Sequence, residues 1–327
     1  MYRRFLAILI LTSCCGSTLA AQSDSRNASG YPNRPIRFIV PFAAGGGPDM
    51  TARVLADALG KQLGQQVVVD NRAGAGGSIG TELIARSAPD GYTIGYASIS
   101  TLAINPAMYS KLPVDAMNDL RKLMLAYTAP QVLVVAPTLP VKSVKELIEH
   151  SKANPGKIGF ASNGNGTLGH LGGELFRHMT ATQMIHIPYK AAQQVITDVA
   201  AGQVQMTFNN IGPLLPHVKS GRLRGLAVTT LKRSPAIPEL PTVAETVPGY
   251  EQVAWAGVVT PKGIPTPILS RLEREIDKSL AQSALAEKFT AMGYDVGGGT
   301  AEAFDAFARK EAVKWAEVVR RSGAKAD

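Results

Sequence analysis

Residues 36–49 read IRFIVPFAAGGGPD, and this stretch joins a strand to a glycine-rich loop and to the first turn of a helix. The apolar run of residues 36–40 is typical of a buried strand, and Pro41 ends it. Over residues 49–63 apolar side chains recur at helical spacing, and Gly64 ends the helix. A strand that leads through glycines into a helix is the basic unit of a parallel α/β fold.

The same order of elements occurs in two series along the chain. The first series has strands at 36–40, 67–69 and 93–97, with helices at 49–63 and 79–87. The second has strands at 158–161, 184–187, 205–208 and 223–228, with helices at 168–179, 193–201 and 213–220. Two such series predict an α/β protein of two lobes that face a cleft, with ligands beyond the carboxyl ends of the strands.

The remaining elements connect or complete the two lobes. Residues 123–127 and 132–136 predict two strands that pass between the lobes, and residues 254–259 predict another. A capping box at Ser143 and Glu146 opens a helix that continues to about Lys152. The chain ends in helices at 267–280, 284–292 and 301–319.

Length and charge limit the class of protein. The 327 residues suggest about two domains, at roughly 150 residues per domain. The 34 basic and 25 acidic residues give a net charge of +9, but no run of five or six like charges occurs. The sequence therefore predicts no nucleic-acid partner, whereas a diffuse positive field suits an anionic small molecule.

Residues 1–20 are predicted to form a signal peptide. Arg3 and Arg4 precede a short apolar run, and Thr18-Leu19-Ala20 is a small-residue cleavage site. We therefore expect an exported, periplasmic protein. Residues 11–14 also resemble a lipobox, and lipid attachment at Cys14 is the alternative.

The cysteines and histidines give no signal for catalysis. Both cysteines, Cys14 and Cys15, lie in the segment expected to be removed. The five histidines have no metal-ligand spacing, and no nucleophile elbow occurs. We therefore expect no catalytic residues, no metal site and no cofactor.

Three glycine-rich stretches connect strands to helices and could bind a ligand. The first loop is residues 41–49. Its glycines allow close approach of a ligand to backbone N–H groups at a helix N-terminus, which favours anions. The alternative is a simple turn with Asp49 as the N-cap.

The second loop, residues 161–170, contains Gly164, Gly166 and Gly169 in a G-x-G-x-x-G pattern. The next strand brings no acidic residue to bind a ribose, so a dinucleotide site is disfavoured. An anion site with Thr167 as a hydroxyl donor remains, and His170 is either a ligand contact or a structural histidine. The third loop, residues 71–78, lacks the ending of a P-loop.

The order and spacing of short motifs over most of the chain resemble the receptors of tripartite tricarboxylate transporters, the TctC-like or Bug family. These motifs include Pro41-Phe42 with Gly45-Gly46, Asn71-Arg72, Pro89-Asp90-Gly91-Tyr92-Thr93, Gly169-His170-Leu171, Pro188-Tyr189-Lys190 and Pro241-Thr242-Val243-Ala244-Glu245. The resemblance implies a two-lobed type II periplasmic-binding-protein fold with a ligand cleft between the lobes. It places one lobe at residues 31–128 and 251–327 and the other at residues 129–250.

The resemblance also implies function: capture of a dicarboxylate, tricarboxylate, acidic amino acid or aromatic acid, without enzymatic activity. The partners would be this organic acid and a membrane permease of one large and one small subunit, and the protein would be a monomer. The residues predicted to contact the ligand are Ala43, Ala44, Gly45, Gly46, Gly47, Asp49, Ser78, Ser98, Asn163, Gly164, Gly166, Thr167, His170, Tyr189 and Asn209. The family often has an Asp near Asn209. A sensor for a signalling partner and an exported enzyme that acts on a carboxylate are the alternatives.

Overall fold

The computed structural model describes residues 30–322, and the alternation of strands and helices continues through all of that range. Residues from Pro32 onward form one compact unit, whereas Gly30 and Tyr31 belong to the preceding one. The expected signal peptide and Cys14 lie outside the described residues.

The strands are β1 Ile36–Val40, β2 Val67–Asn71, β3 Thr93–Ser98, β4 Leu120–Val135, β5 Ile158–Ser162, β6 Met184–Pro188, β7 Met206–Asn210, β8 Arg224–Val228, β9 Val253–Pro261 and β10 Asp295–Gly298. The helices are α1 Gly47–Leu63, α2 Ser78–Ala85, α3 Asn105–Met108, α4 Ala116–Asp119, α5 Val144–Ala153, α6 Leu168–Thr180, α7 Ala192–Ala200, α8 Ile211–Lys219, α9 Thr266–Leu280, α10 Ser283–Ala291 and α11 Ala301–Ser322. A π-helical turn, Ser100–Ile104, precedes α3. None of the helices in the described range is long and apolar enough to cross a membrane.

The strands form a sheet whose main order is β2-β1-β3-β9-β4-β7-β5-β6. Strand β1 pairs in parallel with β2 and β3, and β5 pairs in parallel with β6 and β7. The long strand β4 connects these groups, because it pairs antiparallel with β9 on one side and β7 on the other. The sheet therefore has a first half (β1, β2, β3, β9 and β10) and a second half (β5 to β8), which share β4.

Most predicted elements are present, and the exceptions lie outside the two series of parallel strands and helices. The two strands predicted at 123–127 and 132–136 are wrong as separate elements, because Leu120–Val135 is one strand of 16 residues. Residues 128–131, including Pro130, continue the extended backbone because they pair with β9 and β7. Strand β10 and the π-helical turn were not predicted.

Local sequence explains where the helices begin and end. Leu55, Ala58 and Leu59 of α1 are buried, as the helical spacing requires, and Gly64 ends the helix in the left-handed region at φ 69°. Ser143 caps α5, since its hydroxyl accepts from the N–H of Glu146. The Glu146 carboxylate accepts from the N–H of Lys142 rather than from that of Ser143, so the predicted capping box is only half formed.

Candidate functional site

The three glycine-rich loops meet at the carboxyl ends of the parallel strands. The first loop follows β1, the third follows β2 and the second follows β5. The third loop lies directly against the second, because a Cβ at Gly76 would be 2.6 Å from the carbonyl oxygen of Asn165. The edge that sequence reasoning assigned to ligands is thus formed by loops from both halves of the sheet.

An outer cleft of about 610 Å³ opens between these loops. Apolar groups and glycine backbone dominate its lining: Pro41, Phe42, Ala43, Gly46, Pro48, Gly74, Gly76, Tyr109, Gly164, Pro188, Tyr189 and Ala192. Lys190 is the one charged side chain among the described residues that line this cleft, and it is exposed. The cleft therefore suits a small molecule with an apolar body.

An inner cavity of about 50 Å³ lies next to the outer cleft and shares Phe42, Pro48 and Asn163 with it. Its polar lining comes from both halves of the sheet: Ser98, Ser100, Gln131, Asn163, Thr167 and Asn210. No acidic side chain of the described residues lines this cavity or the outer cleft. An uncharged lining rich in hydrogen-bond donors can accept a carboxylate without like-charge repulsion.

The first loop is braced by Asp49 from within its own helix. Gly46, not Asp49, occupies the N-cap position, and Asp49 accepts from the N–H of Gly45 at 2.9 Å. Arg53 forms an ion pair with Asp49 at 2.9 Å. Burial opposes ionisation of Asp49, but hydrogen bonds from Arg53, Gly45 and Asn71 outweigh it and lower its pKa. Asp49 is thus a charged brace for the loop that presents Gly46.

The second loop is held by its own side chains. The Thr167 hydroxyl donates to the carbonyl oxygen of Gly164 at 2.7 Å, so its proton is used within the loop. The side-chain amides of Asn163 and Asn209 exchange two hydrogen bonds, at 3.1 and 3.2 Å. Asn209 therefore fixes Asn163, which lines both cavities.

A stacked pair of histidines supports the second loop from behind. The rings of His170 and His186 lie 3.9 Å apart and nearly parallel. His170 Nδ1 accepts from the N–H of Gly166 at 3.3 Å, and His186 Nε2 is hydrogen-bonded to Ser162 at 2.7 Å. Burial lowers the pKa of His170 to about 4 and that of His186 to about 3, so both rings are neutral at pH 7.

Hydrogen bonds join the two sides of the cleft. Gln193 of α7 donates to the carbonyl oxygen of Gly45 at 3.2 Å. The N–H of Leu168, in the first turn of α6, donates to the hydroxyl of Ser100 at 3.2 Å. The arrangement is therefore a closed one, in which the first loop contacts α7 and the π-helical turn contacts α6.

The predicted contact residues occupy different positions around this site. Those that line the outer cleft or the inner cavity are Ala43, Gly46, Ser98, Asn163, Gly164, Thr167 and Tyr189. Ala44 is exposed, and Gly45 is covered by Gln193. Those that lie behind the lining and hold it are Gly47, Asp49, Ser78, Gly166, His170 and Asn209.

The hydroxyl groups of two predicted residues have hydrogen-bond partners outside the two cavities. Ser78 accepts from the Asn105 side-chain amide at 3.2 Å. Burial, together with a hydrogen bond to Asp198, raises the pKa of Tyr189 to about 12. Tyr189 therefore presents its ring to the cleft, while its hydroxyl is held by α7.

Sequence reasoning missed Gln131, Asn210 and Phe42 as lining residues. Gln131 lies in the middle of β4, and nothing in the local sequence distinguishes it from any polar residue of a strand. Phe42 follows the first strand inside a motif that had already been identified, so it could have been found. In the described range no group of three His, Cys, Asp or Glu side chains could hold a metal ion.

Two neighbouring glycines in the first loop should respond differently to alanine. A Cβ at Gly47 would lie 2.5 Å from the Tyr294 hydroxyl and 2.6 Å from Asn210 Nδ2, whereas at Gly46 the nearest atom is 3.6 Å away. We expect Gly47→Ala to lower the free energy of unfolding by about 2–3 kcal/mol through overpacking. Gly46→Ala, the matched control, should cost under about 1 kcal/mol as a poorer cap. Urea denaturation measures both, and equal losses would contradict the packing.

Known proteins match this chain over most of its length. The model of the family described as "Tripartite tricarboxylate transporter family receptor" matches residues 51–324. Protein BugT of Bordetella pertussis is 39% identical over 325 residues, which cover 98% of this chain and 98% of BugT.

Two solved structures have the same fold. The structure of "R. palustris Rpa4515 with adipate" has a TM-score of 0.88 at 34% identity and covers 90% of this chain and 99% of its own. That of the periplasmic binding protein BugD has a TM-score of 0.86 at 33% identity, with the same coverage. The predicted α/β fold of the periplasmic-binding-protein type is thereby confirmed, and the chain belongs to the family of tripartite tricarboxylate transporter receptors.

Proposed function

We propose that this protein is a periplasmic receptor that captures a carboxylate-bearing small molecule for a tripartite transporter, and that it is not an enzyme. The ligand would be a dicarboxylate, a tricarboxylate, an acidic amino acid or an aromatic acid. The observation that carries the proposal is the inner cavity, which is lined by uncharged donors and lies between the N-termini of α1 and α6. Helix N-termini with free N–H groups favour anions.

The inner cavity and the outer cleft would bind different parts of such a ligand. The carboxylate would enter the inner cavity, whose volume of about 50 Å³ suits one such group. The rest of the molecule would lie in the largely apolar outer cleft, against Phe42 and the ring of Tyr189. Adipate, the ligand of the similar R. palustris protein, combines carboxylates with an apolar chain.

The residue assignments follow from this division. Gly46, Ser98, Asn163 and Gly164 would contact the ligand, whereas Asp49, Gly166, His170 and Asn209 would hold the loops that do. Thr167 would act mainly through the carbonyl of Gly164, because its hydroxyl donates there.

The lobes would comprise residues 31–128 with 251–327, and residues 129–250. Two features of the sheet support these limits: β4 runs through residue 128 into the second half, and β9 begins at Val253. Opening of the cleft between the lobes would then bend the chain at β4 and near the start of β9. It would also break the hydrogen bond between Gln193 and Gly45.

Location and partners complete the proposal. Residues 1–20 would direct export and be removed, and the mature monomer would deliver its ligand to a permease of one large and one small subunit. The family of the chain and the periplasmic relative BugD support this location.

A thermal-shift panel tests the proposal. We expect one or a few organic acids to raise the melting temperature, because a ligand at 100 times its dissociation constant stabilises the fold by about 2.7 kcal/mol. The panel contains adipate, malate, citrate, glutamate, benzoate and nicotinate, with neutral sugars and polyamines as controls. Mass spectrometry of the bound acid after prolonged incubation should recover it intact.

Stabilisation by sugars or polyamines alone would refute the carboxylate site. Conversion of the acid by the purified protein would refute the non-enzymatic part of the proposal.

A further inference from the structure

We propose that Gln131 is a ligand-binding residue that donates a side-chain N–H to the carboxylate in the inner cavity, and that Gln252 is the positioning residue that fixes the orientation of this amide. The inference rests on the proposed function and identifies the group that selects a carboxylate within that site.

A backbone carbonyl determines the orientation of the Gln252 side chain. Gln252 is fully buried, and its side-chain amide lies 2.8 Å from the carbonyl oxygen of Leu168. A carbonyl oxygen only accepts hydrogen bonds, so the Gln252 atom that faces it must be the nitrogen. The Tyr250 hydroxyl lies 2.7 Å from the opposite end of the amide, the oxygen, and shares its one proton between that oxygen and the carbonyl oxygen of Gly172, which is 3.1 Å away. The orientation of Gln252 is therefore determined.

This orientation determines that of Gln131. The same Gln252 nitrogen also donates to the side chain of Gln131, so Gln131 must present its oxygen to Gln252. The Gln131 nitrogen is the end that this contact leaves available. Gln131 is 4% exposed and lines the inner cavity, which makes its amide nitrogen a donor for a bound anion.

Two hydroxyl groups complete the donor set. Ser98 is 6% exposed, and its hydroxyl has no hydrogen-bond partner among the described residues. The Ser100 hydroxyl accepts from the N–H of Leu168, which leaves its own proton available. Both serines line the inner cavity with Gln131. A buried, unsatisfied donor costs free energy until an acceptor fills the site.

The consequence is a preference among isosteric head groups. A carboxylate offers two acceptor oxygens to the Gln131 amide and the serine hydroxyls, whereas a primary amide of the same shape has one oxygen to share among them. Sites that hold fixed hydrogen-bonding groups reject analogues that cannot complete the hydrogen bonds. Gln131 would therefore help to distinguish an acid from its amide, because Gln252 prevents the flip of the Gln131 side-chain amide that would exchange its oxygen and nitrogen.

Acetate and acetamide are the probes, because acetate carries the carboxylate of the proposed ligands on a single methyl group and acetamide is its neutral isostere. NMR titrations of protein labelled at glutamine and leucine follow the side-chain amide of Gln131, and the backbone N–H of Leu168 reports occupancy. We expect acetate to shift the Gln131 signal and acetamide to bind at least tenfold more weakly. Gln131→Met should reduce the affinity for acetate at least tenfold.

Gln252→Met tests the positioning role. It removes the contact that orients Gln131 but leaves the length of the side chain similar. We expect the ratio of acetate affinity to acetamide affinity to fall at least tenfold, because the freed amide can present its oxygen or its nitrogen. A merely structural role would lower both affinities equally. Gln203→Met, at an exposed position, is the matched control and should change neither.

Each outcome decides the inference. If acetate shifts the Leu168 signal but not that of Gln131, or if Gln131→Met binds acetate as the wild type does, the inference is wrong and the proposed function stands. If no acid of the panel binds and acetate shifts neither signal, both are wrong. Should Gln252→Met not fold, Gln252→Leu replaces it, because it also removes the amide nitrogen that donates to Gln131.

Discussion

Gly172→Ala should destabilise the protein by about 3 kcal/mol or more, although alanine favours a helix by about 1 kcal/mol relative to glycine. Gly172 lies inside α6, and a Cβ there would lie 2.0 Å from Gln252 Oε1 and 2.3 Å from Nε2. Gln252 cannot withdraw without losing its hydrogen bonds to Leu168, Tyr250 and Gln131. Overpacking costs about 1–3 kcal/mol, and each buried polar group left unpaired adds a similar amount. Urea denaturation at pH 7 measures the loss.

A double-mutant cycle separates the clash from any other effect of alanine. In Gln252→Ala the side chain that a Cβ at Gly172 would meet is absent, so Gly172→Ala in that background should cost at least 2 kcal/mol less than in the wild type. If the cost is the same in both backgrounds, the contact between Gly172 and Gln252 does not limit this position.

The stability of the protein should fall as the pH is lowered from 6.5 towards 4, before most carboxylates are protonated. Burial lowers the pKa of His170 to about 4, and the charge of Arg177 adds to this effect. Burial, with the neighbouring His170, lowers the pKa of His186 to about 3. The carboxylate of Glu174 neutralises part of the Arg177 charge, since the two form an ion pair at 2.6 Å.

The sign of this pH dependence follows from the linkage between proton binding and folding. Well above pH 6.5 both histidines are neutral in the folded and the unfolded chain, so there they contribute no pH dependence. Between pH 6.5 and 4 the unfolded chain binds protons that folded His170 cannot, and the free energy of unfolding decreases. The shift of His170 from 6.5 to about 4 corresponds to about 3 kcal/mol at the lower limit.

Two substitutions show whether these histidines are responsible. His170→Asn keeps an acceptor for the N–H of Gly166 but does not titrate, so it should make the decrease between pH 6.5 and 4 less steep, and the remaining decrease should come from His186. His178→Gln removes an exposed histidine of the same helix and should leave the decrease unchanged. Denaturation curves at several pH values provide the measurement. An unchanged slope in His170→Asn would contradict the assignment.

Much of the fold follows from the sequence because its signals are local. The apolar runs of β1 and β5, the glycines after them and the spacing of Leu55 and Leu59 act within a few residues. Such patterns predicted both parallel series and the edge at which the loops meet. The sequence predicts two strands in place of β4, because Pro130 interrupts the local pattern. In the structure, pairing with β9 and β7, which come later in the chain, keeps the backbone extended.

The chemical roles of the residues around the site could be predicted from the sequence only in part. The first and second loops were identified from their glycines, because a glycine-rich turn before a helix has a direct physical meaning. The sequence did not distinguish the residues that line the cavities from those that hold the loops in place. Ser98 and Asn163 line the cavities, whereas His170 and Asn209 hold a loop, and nothing in the neighbouring sequence distinguishes these roles.

The sequence alone determined the order of elements, the loops at the carboxyl ends of the strands, and the family resemblance that the comparisons confirmed. Only the tertiary structure decided that Gln131 and Gln252 meet beside Ser98, although they are 121 residues apart along the chain. The physical reason is that a hydrogen-bond donor acquires its role from the groups that share its hydrogen bonds. Gln131 lies on β4, whereas those groups come from α6 and from the segment before β9, and only the folded sheet brings them together.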